Sequence, residues 1–171
     1  MRLFVAVTPS PEALAHAGSA VTAVRARHPD LRWIPVERWH LTLAFYGEVP
    51  DATVDSVAAR LGRTTTDRPA MTLSMRGSGV FSRRALWLGV SGEVDPLRRL
   101  AQAVSWDDRP YRPHLTVARL RGDVDAGPAA AELAGYAGPP WVAGTVRLVR
   151  SRLGPQPAYD DVATWTLQAR S

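Results

Sequence analysis

His40-Leu41-Thr42-Leu43-Ala44 returns, 74 residues further on, as His114-Leu115-Thr116-Val117-Ala118. The same offset pairs Arg38 with Arg112, Asp51 with Asp125 and Arg76 with Arg150. Around both copies the pattern reads strand, helix, His-x-Thr strand, helix, strand. A coincident tripeptide means little in a chain rich in alanine and leucine, but a match that extends to the flanking elements argues for two halves built alike. Two copies are too few for a solenoid. The expected architecture is therefore α+β, a single bilobal domain over residues 1–171. It has two pseudo-symmetric lobes, each a mainly antiparallel sheet with outer helices, and a cleft between them.

The elements follow from local signals. Ser10-Pro11-Glu12 supplies an N-cap, a proline at the first helical position and an acid in the first turn. Leu14, Ala17, Val21 and Val24 then share a face, and His28-Pro29 ends the run. Asp51 is read as the cap of a second helix carrying Val54, Val57, Ala58 and Leu61 at helical spacing. Asp95-Pro96 opens a third with Leu97, Leu100, Ala101 and Val104, and a short fourth runs from Pro128 to Leu133. Strands are expected at Leu3–Val7, Leu41–Tyr46, Met71–Met75, Ala85–Val90, Leu115–Val117, Val142–Val149 and Thr164–Leu167. Proline and glycine punctuate the joins without making a long linker.

Strand alternation puts His40 and Thr42 on one face and Leu41 and Leu43 on the other, and likewise His114 and Thr116 against Leu115 and Val117. Each strand buries its aliphatics and shows an imidazole and a hydroxyl on the opposite side. If the lobes face each other, two imidazoles and two hydroxyls meet. Imidazole titrates near neutral pH, so one ring can take a proton from water while the other gives one to a leaving oxygen. Threonine hydroxyls suit the non-bridging oxygens of a phosphate, and Arg119, five residues past His114, brings a fixed positive charge. A single His-x-Thr is usually an ordinary half-exposed surface pair; the duplication is what singles these out. His16, off the apolar stripe, is expected in solvent, and His28 at the helix end, where its charge suits the dipole.

With 171 residues, 46% of them apolar and 22% charged, the chain can bury a core of its own. It has no cysteine, which excludes disulfides, thiol catalysis, iron–sulfur clusters and cysteine-ligated zinc. The apolar opening, Leu3 to Val7, is too short for a signal h-region or a membrane span, so a cytoplasmic protein without a membrane partner is expected. The net charge is +5, and all 21 basic residues are arginine. That balance favours anionic partners, and the guanidinium fork suits phosphate, although a solvated basic surface is an equal explanation. Zinc at the histidine pair would need a further protein ligand, and no His-Glu or His-x-His spacing supplies one. Gly77-Ser78-Gly79 lacks the pattern and lysine of a phosphate-binding P-loop.

His40 to Leu43 and His114 to Val117 resemble the paired motifs of the 2H phosphoesterase superfamily. More narrowly, the chain is similar to bacterial RNA 2′,3′-cyclic phosphodiesterases, also called 2′-5′ RNA ligases. Arg2 to Val7 looks like that family's opening strand, His40 to Val49 like its first motif, Leu86 to Val90 like its middle strand and Arg109 to Arg119 like its second motif with flanks. The resemblance implies metal-independent hydrolysis of a 2′,3′-cyclic phosphate, at RNA 3′ ends or in small cyclic nucleotides, to a 2′-phosphate, with no cofactor. It makes His40 the proton donor to the departing oxygen and His114 the proton acceptor. Thr42, Thr116 and Arg119 hold the phosphate, and Phe45 stacks on a base, although its parity with Leu41 and Leu43 points it into the core. Two departures stand out: Tyr46 replaces the usual leucine, and the stretch from Leu100 to Tyr111 is shorter than in relatives. Another cyclic phosphate, such as an ADP-ribose cyclic phosphate, and a non-catalytic RNA-end or nucleotide binder remain alternatives; a monomer is expected.

Overall fold

The computed structural model describes residues 1–155 and 157–169. In chain order the elements are β1 (Arg2–Val7), α1 (Pro11–Arg25), β2 (Arg32–Trp33), β3 (Leu41–Glu48), α2 (Val54–Thr65), β4 (Met71–Phe81), β5 (Ala85–Gly92), α3 (Val94–Val104), β6 (His114–Arg119), α4 (Gly127–Leu133), β7 (Trp141–Ala143), β8 (Thr145–Arg152) and β9 (Ala158–Thr166). One antiparallel sheet has the order β3-β1-β8-β9 and the other β2-β6-β5-β4-β7. Helices α2 and α3 pack by the first sheet, and α1 and α4 by the second. No helix among the described residues is long and apolar enough to cross a membrane.

The two lobes are not the two halves of the chain. Residues 2–81 run β1-α1 and, after the short β2, β3-α2-β4, and residues 85–152 run β5-α3-β6-α4 and, after the short β7, β8. The last strand of each half crosses into the other half's sheet: β4 pairs with β5, and β8 pairs with β1. The shared order is then β3-β1-β8 in one sheet and β6-β5-β4 in the other. Neither half can complete its sheet alone.

Most elements follow the local signals, and the exceptions have physical reasons. In α1 the Ser10 hydroxyl accepts from the Ala13 amide at 3.2 Å, and Ala13, Ala17, Val21 and Val24 are buried. In α3 the four apolar positions Leu97, Leu100, Ala101 and Val104 are all buried. Asp51 does not cap α2. It lies in a short 3₁₀ turn, and its carboxylate pairs with the N-terminal ammonium at 3.4 Å. The third helix opens one residue before Asp95, at Val94.

The apolar run Val142–Val149 is not one strand. It breaks at Gly144 because it serves two sheets: Trp141 and Ala143 are buried in the second, Val146 and Leu148 in the first. The last strand starts well before Thr164, at Ala158. Its polar start is held by cross-strand ion pairs, Arg147 with Asp161 and both Arg150 and Arg152 with Asp160.

Both His-x-Thr strands carry a β-bulge at the same place. Ala6 pairs with Thr42 and Val5 with Ala44, leaving Leu43 as the extra residue. Trp87 pairs with Thr116 and Leu86 with Ala118, leaving Val117 as the extra residue. Leu43 and Val117 are related by the same 74-residue offset as the histidines. A bulge shifts the alternation by one, so two successive side chains face inward. From the residue after each histidine, both strands therefore read buried, half-buried, buried, buried, exposed. Phe45 and Arg119, which plain alternation points away from the threonines, come out on their side.

Tyr46 and the connection after α3 meet in the structure. Helix α3 stops at Val104, and the Tyr46 hydroxyl donates to the carbonyl of that last residue at 2.5 Å. The Tyr46 ring stacks on Trp106 with centroids 4.1 Å apart and planes 9° from parallel. Through these two contacts Tyr46 ties down the connection that follows α3. Burial pushes its hydroxyl up to about 12. Tyr46→Phe removes a buried hydrogen bond and leaves a carbonyl unpaired, so chemical denaturation should show a loss of about 1–3 kcal/mol, with the circular dichroism spectrum unchanged.

Candidate active site

A cavity of about 1010 Å³ opens between the sheets. Thr42 and Phe45 line it from β3, and His114, Thr116 and Arg119 from β6. The β4–β5 hairpin, α3 and the connection from Ser105 to Arg112 complete the wall. Phe45 is 55% exposed, with the Arg2 guanidinium over its ring at 4.9 Å. The bulge after Thr42 corrects the reading of Phe45 as a core residue.

His40 sits differently from the other five. It lines a separate concavity of about 170 Å³, walled by Phe4, Arg38, Arg147 and Tyr159. Its ring stacks on Phe4 at 4.8 Å and meets the edge of Tyr159 at 5.4 Å. Arg38 lies over the Tyr159 ring at 5.0 Å. His114 has its own aromatic support, with Phe81 edge-on at 4.8 Å and Trp87 at 6.5 Å. Gly79 makes room for that indole: a Cβ there would stand 2.2 Å from Trp87 Cζ2.

The two imidazoles are oriented alike. His40 Nδ1 lies 2.9 Å from the Arg38 carbonyl and His114 Nδ1 2.7 Å from the Arg112 carbonyl, in each case two residues back along the chain. A carbonyl only accepts, so Nδ1 carries the proton in both rings. Neither Nε2 has a hydrogen-bond partner among the described residues. Each ring therefore keeps Nε2 for something else, as a base when neutral and an acid when charged.

The surroundings disfavour charge on both. Burial, then the cations Arg147, Arg119 and Arg38, push His40 down to about 4, against the opposing pull of its backbone hydrogen bond. Burial and Arg119 also lower His114, which its bond to the Arg112 carbonyl partly offsets. Arg119 thus acts on both rings. A phosphate placed among these cations reverses the sign and draws protons onto the imidazoles.

The other two histidines have partners that the sequence did not suggest. His16 Nδ1 is 2.8 Å from the Tyr136 hydroxyl. His28 Nε2 and Arg27 both reach Glu132, at 2.5 and 2.6 Å, tying α1 to α4. Tyr111 is a lining residue that sequence reasoning missed: it borders the cavity, and its hydroxyl is buried without a partner among the described residues. Its tyrosine identity, next to the second motif, was the available signal. Among the described residues no three His, Asp or Glu side chains gather in a group able to hold a metal ion.

The family model described as the 2′-5′ RNA ligase superfamily matches residues 9–155. The chain belongs to that superfamily. It is 28% identical over 134 residues to the RNA 2′,3′-cyclic phosphodiesterase of Thermotoga maritima, an alignment covering 71% of each chain. It is 29% identical to the protein of the same name from Thermus thermophilus, over 98% of this chain and 91% of that one. Against a Geobacillus stearothermophilus relative of that name the match spans 81% of this chain but only 48% of the longer partner. Among solved structures, TT0787 of Thermus thermophilus superposes with a TM-score of 0.78 at 26% identity over the full length of both chains. Escherichia coli LigT, solved with 3′-AMP, gives 0.77 at 24% over 97% of each, a likeness of fold.

Proton NMR titration should place His40 near pH 4 and His114 below 6.5, and added inorganic phosphate should move both upward. A lowered folded pKa means that the unfolded chain binds the proton first. Stability contributed by neutral His40 is thus complete above about pH 6.5 and is lost as pH falls toward 4, by roughly 2–3 kcal/mol. A His40 resonance that titrates at 6.5 or above in the free protein contradicts this electrostatic account.

Proposed function

We propose that this protein hydrolyses 2′,3′-cyclic phosphates, at RNA 3′ ends or in small cyclic nucleotides, to 2′-phosphates without a metal ion. The observation that carries the reading is the pair of matching bulged strands, which bring Thr42, Phe45, Thr116 and Arg119 to one cavity and leave both Nε2 atoms free. Membership of the superfamily, and relatives named RNA 2′,3′-cyclic phosphodiesterases, support it.

In the reaction His114 Nε2 takes a proton from water as the water oxygen bonds to phosphorus. The phosphorus–O3′ bond breaks, and His40 Nε2 delivers its proton to that oxygen. The products are a 3′-hydroxyl and a 2′-phosphomonoester, and exchange with solvent resets both rings. The Thr42 and Thr116 hydroxyls donate to the non-bridging oxygens, and Arg119 balances the charge that grows on them. Phe45 offers an aromatic face to the terminal base, a sequence-tolerant contact. Burial and the surrounding cations hold both rings neutral in the free protein, so His40 takes up the proton it donates only as the bound phosphate offsets those cations.

The direct test is an oligonucleotide ending in a 2′,3′-cyclic phosphate, with the position of the product phosphate resolved. A 2′-phosphate released at the same rate with and without chelator is expected; a 3′-phosphate, or loss of turnover in chelator, overturns the reading. Stoichiometric binding without turnover selects a non-catalytic binder, and turnover confined to an ADP-ribose cyclic phosphate selects that substrate instead. His40→Ala and His114→Ala should each lower kcat by about 10²–10⁴ while the thermal transition is kept.

The two roles separate with a substrate whose 3′-oxygen is sulfur, which departs without a proton. Such a substrate should restore most of the rate to His40→Ala and little to His114→Ala. The opposite pattern exchanges the roles. With one base and one acid required, kcat/KM should rise and fall with pH. Because both free-enzyme pKa values are lowered, its maximum should lie on the acid side of pH 6.5. Bound substrate raises both, so the kcat maximum should lie at higher pH.

A further inference from the structure

The cavity is larger and more positive than a cyclic phosphate requires. At about 1010 Å³ it lies at the upper limit of single-ligand pockets, which run from roughly 300 to 1,000 Å³. Four arginines line it, Arg84, Arg109, Arg112 and Arg119, against one carboxylate, Asp107. That carboxylate is already engaged: Asp107 accepts from the backbone amide and the guanidinium of Arg109. Arg119 belongs to the proposed reaction. Arg84 and Arg112 remain as exposed guanidiniums with no hydrogen bond or ion pair among the described residues.

Their backbones are fixed although their side chains are free. Arg84 leaves the β4–β5 hairpin, whose turn residues Ser82 and Arg83 have φ of 46° and 54°. These are the only non-glycine residues in the left-handed region among those described. The strain of that conformation falls on Ser82 and Arg83, and Arg84 is the first residue past them. The Arg84 amide donates to the Phe81 carbonyl at 2.7 Å, and the Arg84 carbonyl accepts from Leu120 at 2.9 Å, which pins the hairpin beside Arg119. Arg112 lies two residues before His114 and is anchored through its carbonyl.

We propose that Arg84 and Arg112 form a phosphodiester-binding track for the nucleotides on the 5′ side of the cyclic end, so that the preferred substrate is an RNA strand rather than a free cyclic nucleotide. This rests on the phosphodiesterase reading of the same cavity. A cyclic mononucleotide fills the reacting end and leaves the track empty. A strand adds one backbone charge per further nucleotide, and each guanidinium that neutralises one releases a counterion.

The test compares a cyclic mononucleotide with a trinucleotide ending in a 2′,3′-cyclic phosphate. Wild-type kcat/KM should be at least about tenfold higher for the trinucleotide, and the ratio should collapse toward one in the Arg84→Gln/Arg112→Gln variant. Two lost contacts should also make the slope of log(kcat/KM) against log[salt] shallower by about 1.4 for the trinucleotide, from roughly 0.7 per single-strand phosphate contact. The single Arg84→Gln change, at an exposed side chain, should give half of that shift and guards against misfolding of the double variant.

Equal use of both substrates by the wild type, or a variant with unchanged ratio and slope, overturns the track and leaves the hydrolytic reading standing. If neither substrate is turned over, the hydrolytic reading fails. Fluorescence anisotropy of a labelled trinucleotide ending in a 2′-phosphate then still decides the track. Binding weakened at least tenfold by the double change supports it, and unchanged binding overturns it.

Discussion

One extra residue in each His-x-Thr strand decides which side chains share the cleft. If β3 ran through Leu43 without a bulge, strict alternation would point Phe45 with Leu41 into the core, and an unbulged β6 would point Arg119 with Leu115. A buried unpaired guanidinium costs several kcal/mol and a core phenylalanine offers nothing to a ligand, so the bulges serve both folding and chemistry. They sit at equivalent places in two sheets, each assembled from strands of both halves. The cleft exists because β4 and β8 each complete the other half's sheet.

Within that frame the protein holds cations together at the expense of its imidazoles. Arg119 lies within electrostatic reach of both histidines, and Arg38 and Arg147 add to the pressure on His40. Such a cluster is poorly balanced when empty and well balanced around a phosphate. The rings are protected from rotation by fixed backbone carbonyls at Nδ1 and by aromatic neighbours, Phe4 and Tyr159 on one side, Phe81 and Trp87 on the other. Orientation is therefore set before any ligand arrives, which limits the reorganisation that binding demands.

Much of this was legible in the chain itself. The doubled His-x-Thr stretch gave the α+β architecture and singled out Thr42, His114 and Thr116, which line the cavity, and His40, which does not; helix periodicity located α1 and α3 because their buried faces are regular. What stayed hidden has specific causes. Bulges leave no signature at Leu43 or Val117, since an aliphatic residue suits either parity. The run from Val142 to Val149 conceals the crossing at Gly144 because both sheets demand the same residue types. The aspartates of β9 look like a loop until Arg147, Arg150 and Arg152 appear opposite them. The stacking of Tyr46 on Trp106 joins two residues that are distant in sequence and adjacent in space.

His40 lines a smaller concavity than His114, Thr42 and Thr116 do, yet the account requires both rings to serve one phosphorus. A crystal structure with a nucleoside 2′-phosphate bound measures that requirement directly. Both Nε2 atoms within about 3 Å of one phosphoryl group or its adjacent hydroxyl is the predicted result. A phosphate held by His114, Thr116 and Arg119 while His40 Nε2 stays turned into its own concavity would contradict it.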